Sequence, residues 1–236
     1  MVYTPTRRQV AVWCGSAAII ALLFNNWLLQ PLLNPALSLN HAVISEISAR
    51  TQPYHWVFQT LDIAAGALTL LCLPYMLRFA RQVKLPLYGL LVGMVALLGI
   101  DSILDASLAI SCAPTIDLHC SLTNSHSLIT EAHMVESTTT GLATLVAPVV
   151  WWWACRQRGV RLLAQMSVWF VGLQALVGLS ILGSRAIGVD IVGTAQRLYE
   201  LGVGAWIGAI GGLSTASRVL SVRRPIPNET LAPETE

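Results

Sequence analysis

Apolar residues fall along this chain in six blocks, at about 10–31, 56–77, 85–105, 134–154, 162–183 and 198–217, each near the roughly 20 residues that an α-helix needs to cross a bilayer. The expected fold class is all-α: an integral membrane bundle of six transmembrane helices within residues 1–222. The remainder, 223–236, holds three Pro and three Glu without an apolar period and is expected to be a disordered cytoplasmic tail. No internal repeat relates the first three blocks to the last three, and no segment reads as a separate soluble domain. The connections are unequal. Those on one side are short, whereas about 32–55 and 106–133 are long enough to carry structure, and long connections tend to hold functional residues.

Composition agrees with a membrane bundle. Hydrophobic residues make up 55% of the chain and charged residues 11%, with a mean hydropathy of +0.64, well to the apolar side of a soluble domain. Six alternating spans place Arg7, Arg8, Arg78, Arg81, Lys84, Arg156, Arg158, Arg161, Arg218, Arg223 and Arg224 on one side, eleven of the fourteen basic residues, and only Arg50, Arg185 and Arg197 opposite. Cytoplasmic loops retain Lys and Arg, so both termini are expected in the cytoplasm. A net charge of +2 with no clustered basic face argues against nucleic acid as a partner. Membrane lipids are the expected partner, the cytoplasmic Arg groups touching anionic headgroups. Trp27, Tyr54, Trp56 and Tyr199 fit an outer aromatic belt, and Trp13, Tyr75, Tyr88 and the run Trp151, Trp152, Trp153 an inner one. Arg7-Arg8 ahead of an apolar run invites comparison with a signal peptide, but the run is too long and no small-residue cleavage site follows, so it reads as the first span.

Ionisable groups within such blocks are costly in lipid and mark a cavity or a partner. Here they are all shallow on the non-cytoplasmic side. Asp62 lies one turn before Gly66. Asp101 and Asp105 are four apart and share a helix face. His126 and His133 are seven apart, with Glu136 almost one turn beyond, and Gln196 and Glu200 are four apart beside Arg197. The loop before the second block adds His41, Ser45, Glu46, Ser48 and His55, and 41–48 suits an amphipathic turn over the bundle mouth. Each element has a plain interpretation: Asp101 and Asp105 as salt-bridge partners of Arg185 or Arg197, Arg197 with Glu200 as a local helix pair, His133 with Glu136 as a network that only orients helices, and His119 as solvated. Their convergence on one depth favours a shared site instead.

Imidazole and carboxylate groups without thiolate suit zinc or another first-row divalent metal. His126, His133, Asp101 and Asp105 are the candidate ligands; Glu136, Asp62 and Ser45 the candidate catalytic groups; Glu46, Gln196 and Arg197 the candidate substrate contacts. No HExxH-type motif accompanies them, and a two-haem relay across the membrane is excluded because the histidines share one side. Cys112 and Cys120 occupy one outer loop, where an oxidising compartment permits disulfides, and are expected to bridge; a redox-active pair is the alternative, without a second outer pair to relay electrons. Gly204, Gly208 and Gly212 recur every fourth residue, as do Gly89 and Gly93, a spacing that lets helices approach closely, within one chain or in a homodimer.

The stretch Ser45-Glu46-Ile47-Ser48-Ala49 with Pro53 and Asp62-Ile63-Ala64-Ala65-Gly66, then Gly99 to Asp105, the Cys112-Ala113-Pro114 to Cys120 loop, His133, and Gln196-Arg197-Leu198 with Trp206 resemble the bacterial and archaeal polytopic membrane family called domain-of-unknown-function family 998. The resemblance covers nearly all six blocks. It implies a six-span protein, in a bacterium of the cytoplasmic (inner) membrane, and it implies no reaction. The chain is more distantly similar to the seven-span hydrolases of the ceramidase and progestin-receptor superfamily, which use Ser, Asp and three His around zinc. Ser45, Asp62, His126 and His133 offer similar residue types. This chain departs in having six blocks, and in carrying Gln196 and Glu200 where that superfamily's last span carries paired histidines.

Two functions from different classes follow. One is a metal-assisted hydrolase acting on a lipid headgroup or amide at the outer leaflet, with Glu136 or Asp62 moving protons and Arg197 holding a phosphate. The other is a non-catalytic ligand binder, sensor or transport-accessory protein. A pH sensor built on His126 and His133 is a third.

Overall fold

Each apolar block winds into a helix, because away from water every backbone N–H and C=O must find its partner within the same segment. The computed structural model describes residues 7–82, 84–117, 119–120 and 128–216. Among these, the α-helices are α1 (Arg7–Phe24), α2 (Gln30–Leu33), α3 (His55–Gln82), α4 (Tyr88–Ser107), α5 (Leu128–Gln157), α6 (Arg161–Ala186) and α7 (Val192–Ala216). Two 3-10 turns, Asn26–Leu29 and Ile44–Glu46, complete the regular structure, and no strand occurs among the described residues. The tail at 223–236 lies outside them.

By length and composition, α3, α4 and α6 are each able to cross a membrane. A fourth span results if the segments Gly15–Phe24 and Asn26–Leu33, bent by 65° at their junction, are counted as one. The bend has a local cause. The Asn25 side chain donates to the Ala21 carbonyl at 2.7 Å, the acceptor that the continuing helix backbone would have used, so the ladder breaks there. Pro31, near the start of α2, lacks the N–H that an uninterrupted helix would need. Helices α5 and α7 are as long as the others but carry polar side chains, among them Glu136, Thr144 and Arg197, that are buried in the bundle.

Side-chain contacts show neighbouring helices running antiparallel. A Cβ added to Gly204 would meet Ala21, and one added to Gly208 would meet Ala17, which sets α7 against α1 in reverse order. Trp206 Nε1 donates to Ser167 Oγ at 3.1 Å between α7 and α6, Gln174 Nε2 to the Thr144 carbonyl at 2.8 Å between α6 and α5, and Trp151 Nε1 to the Leu91 carbonyl at 3.3 Å between α5 and α4. Gly66 of α3 touches α4 so closely that an added Cβ would collide with the Gly99 carbonyl and Ile103. With α1 also packed on α3, the six long helices form a closed ring in chain order. The core at one end of the ring comprises Met76, Phe79, Leu91, Val95, Trp151 and Leu163.

Three expectations change here. Trp151 is fully buried in that core and is no interfacial anchor, because its ring fills the space between α4 and α5; Trp153 remains exposed. Tyr199 turns inward, its hydroxyl paired with that of Thr144, and so leaves the outer belt. Gly204 and Gly208 are covered by α1 of the same chain, so that face of α7 is taken up internally and is not open to a second copy; the surroundings of Gly212 lie outside the described residues.

The opposite end of the ring is capped by the two long connections. A small core of Leu37, Ala42, Ile47, Ala49, Phe58, Ile110 and Ala113 joins them. Cys112 and Cys120 are bridged, and Cys72 and Cys155 are free thiols buried in the bundle.

Candidate functional site

Directly beneath the cap is a cavity of about 250 Å³. The 3-10 turn after α1 supplies Asn26, the turn Ile44–Glu46 supplies Ser45, and α3 supplies Asp62; α4 adds Asp101, Ser102 and Asp105, α5 adds Glu136, Ser137 and Thr140, and α7 adds Gln196, Tyr199 and Glu200. Five carboxylates therefore line one small space, and among the described residues no Lys or Arg joins them. The i, i+4 pairs Asp101/Asp105 and Gln196/Glu200 reach it because each presents one helix face to the interior.

Neutral donors steady several of these oxygens. Asn26 Nδ2 donates to Asp62 Oδ1 at 2.5 Å, and Ser102 Oγ to the Asp62 carbonyl at 2.8 Å. The Thr140 hydroxyl bonds Asp101, and Ser137 Oγ approaches Glu136 Oε2 at 3.2 Å. Gln196 Oε1 accepts the Ile44 N–H at 2.8 Å, tying the cap to the mouth of the cavity.

At one wall, ligating atoms of Asp105, His133 and Glu136 lie within 4.8 Å of one another. His133 Nδ1 stands 3.4 Å from Asp105 Oδ1 and 3.8 Å from Glu136 Oε2. His133 is 7% exposed, and its Nδ1 has no hydrogen-bond partner. A buried polar atom without a partner costs on the order of 1–3 kcal/mol, and a cation held between the imidazole and the two carboxylates removes that cost. Two carboxylate oxygens and one imidazole nitrogen form a donor set that zinc and other first-row divalent ions accept.

Of the candidate ligands, His133 and Asp105 thus come together, Glu136 joins them as a third donor, and Asp101 stands on the same cavity but bonds Thr140. His126 lies outside the described residues. Ser45, Asp62 and Gln196 reach the cavity. Glu46 and Arg197, expected as substrate contacts, do not line the cavity and are bonded to the scaffold. Glu46 is 2% exposed; its Oε1 accepts the Val43 N–H at 3.1 Å, and its Oε2 accepts the Thr115 N–H at 2.9 Å and the Thr115 hydroxyl at 2.6 Å. Oε1 thereby closes the turn of the first cap loop on itself, and Oε2 locks that loop to the disulfide loop.

Arg197 donates from Nη1 to the carbonyls of Leu39 at 3.0 Å, Ala42 at 2.7 Å and Gly193 at 2.9 Å, and from Nη2 to Gln30 Oε1. It pairs with neither Glu200 nor the Asp101/Asp105 face, because the loop at 39–42 lies over it and takes its donors. His41 is exposed, 3.5 Å from Asp190, and His119 is exposed, as expected of a solvated loop histidine.

Asn26, Ser102, Thr140 and Thr144 escaped the sequence reading. The signal for Asn26 was an Asn-Asn pair interrupting an apolar run; for Thr140 it was the polar stretch Ser137 to Thr140 within the fourth block, with Thr144 one turn further on.

The family described as a protein of unknown function (DUF998) matches residues 16–212 of the chain. No curated protein and no solved structure matches the chain.

Proposed function

Since the chain belongs to the DUF998 family, whose description assigns no reaction, we propose its function from geometry: a six-span protein of the bacterial inner membrane that holds one divalent cation on Asp105, His133 and Glu136 and hydrolyses an ester or amide of a lipid headgroup. One observation carries this reading. The triad, whose buried His133 Nδ1 makes no hydrogen bond, stands beside a cavity that also presents Ser45, Asp62 and Glu200. A zinc-class ion there supplies Lewis acidity and lowers the pKa of a bound water. Asp62 and Glu200, on two other helices, offer carboxylates to take up and return a proton. Asn26 bonds the Asp62 carboxylate and Ser102 its backbone carbonyl, which fixes the residue at the cavity.

The six spans are the bent first pair and helices α3 to α7. Support comes from their antiparallel order and from the basic residues that gather at the ends remote from the cavity, which would face the cytoplasm together with both termini.

The test is elemental analysis of protein purified without chelators. One divalent ion per chain is expected, and it is lost in Asp105→Asn and His133→Ala variants that still carry the Cys112–Cys120 bridge and elute as folded protein. Wild-type protein with no stoichiometric metal overturns the proposal.

A further inference from the structure

On the outside of the bundle, between α4 and α5, runs an apolar groove of about 530 Å³. Leu97, Ile100 and Leu104 of α4 and Val135 of α5 line it, all exposed. It runs from Leu97 of α4 to Leu108 just past the helix end, about 16 Å at 1.5 Å per residue. An exposed apolar face of this kind on a membrane helix lies against acyl chains. The groove has a polar floor: Asp101 and Glu136 belong both to it and to the cavity beneath the cap. At the α4–α5 seam these two side chains are thus the boundary between lipid and the carboxylate chamber.

The charges select the occupant. Among the described residues, every charged side chain that lines the groove or the cavity is acidic: Asp62, Asp101, Asp105, Glu131, Glu136 and Glu200. A divalent ion on Asp105, His133 and Glu136 offsets two of those charges and leaves Asp101 and Glu131 at the seam. An anionic headgroup would meet like charge in a low-dielectric setting, which is strongly unfavourable; an ammonium would meet complementary charge.

We infer that the cavity is entered sideways from the bilayer between α4 and α5, and that its ligand is a long-chain amphiphile with a cationic amine head, the chain lying in the groove and the ammonium reaching Asp101 and Glu131. The inference rests on the proposed site, since the same chamber receives the head, but it stands apart from the identity of the metal. The phosphate recognition expected of Arg197 has no place in it, because both terminal nitrogens of that guanidinium are bonded to the cap, Gly193 and Gln30.

The experiment uses the full chain in maltoside micelles, titrated calorimetrically with dodecylamine, dodecanoate and butylamine, all below their own micellar concentrations. Dodecylamine is expected to bind about tenfold or more tightly than either control, the scale of one ion pair in a partly desolvated site. Ala132→Trp on α5 and Leu104→Trp on α4 fill the groove from its two walls, and each is expected to remove that advantage while metal content stays at the wild-type level. Equal binding of dodecylamine and dodecanoate, or amine binding indifferent to both substitutions, overturns the inference. Protein without metal that keeps groove-dependent amine binding refutes the metal site and sustains the amphiphile.

Discussion

Arg197 and Asp117 act as clamps. The guanidinium of Arg197 is 4% exposed and holds Leu39, Ala42, Gly193 and Gln30 together, so it anchors the cap to the start of α7. Lysine cannot reproduce this fork, having a point charge where Arg has a planar set of donors. Arg197→Lys is expected to lose at least two charge-assisted bonds and to destabilise the protein by about 3 kcal/mol, read as a fall in thermal midpoint in detergent; an unchanged midpoint refutes the clamp. Nothing local to Gln196-Arg197-Leu198 distinguishes this role from that of a ligand contact, because the deciding partners lie more than a hundred residues away in the chain. Asp117 works in the second cap loop. Hydrogen bonds from the Thr51 hydroxyl at 2.6 Å and the Ala113 N–H at 2.7 Å hold its carboxyl below the ordinary value of 3.8. A depressed folded-state pKa adds stability that is present above 3.8 and disappears as pH falls through the lower folded value. The difference in melting temperature between wild type and Asp117→Asn should therefore persist from neutrality to about pH 5 and shrink below pH 4; a difference that stays constant across that range contradicts the mechanism.

At the level of elements, the contact of α3 with α4 sets the floor of the site. Gly66 lets the Gly99 carbonyl and Ile103 approach, and one turn earlier the Asp62 carbonyl receives Ser102 from the same face of α4. A methyl at Gly66 must push the helices apart, at an overpacking cost of about 1–3 kcal/mol. Gly93, on the same helix as Gly99, has no neighbour within 4 Å of an added Cβ. Gly66→Ala is thus expected to destabilise the protein and weaken metal retention, whereas Gly93→Ala is neutral or stabilising, helix interiors favouring Ala over Gly by roughly 0.5–1 kcal/mol. Equal effects of the two substitutions would count against a specific α3–α4 seam. All six blocks were legible as helices because hydropathy alone demands them. The break after Phe24 was not, since it depends on one Asn side chain capturing the Ala21 carbonyl in place of the backbone. The glycine spacing in α7 was legible as a close approach, but spacing cannot say whose helix approaches, and α1 of the same chain fills the place.

Across the whole molecule, antiparallel order brings the end of α1, the start of α3, the end of α4, and the starts of α5 and α7 to one rim, and the carboxylates gather there. That convergence was readable from spacing and alternation; the pairing of His133 with Asp105 was not, because the register between two helices depends on packing along their whole length. The same order sends Arg78, Arg81, Arg156, Arg158 and Arg161 to the far rim, and the Cys112–Cys120 bridge to the cavity's own. A disulfide persists on the oxidising side of a bacterial inner membrane, and Lys and Arg are retained on the reducing side. Two independent chemistries thus predict one orientation, with the chamber outward. A fluorescent protein fused after Glu236 should glow, and alkaline phosphatase at the same position should be inactive. In right-side-out spheroplasts, a membrane-impermeant phosphine followed by maleimide should label the Cys pair, and in inverted vesicles it should not. The reverse pattern would put the carboxylate chamber in the cytoplasm, where glutathione would reduce the bridge that holds the Glu46 latch on Thr115, and an outer-leaflet ligand could no longer enter between α4 and α5.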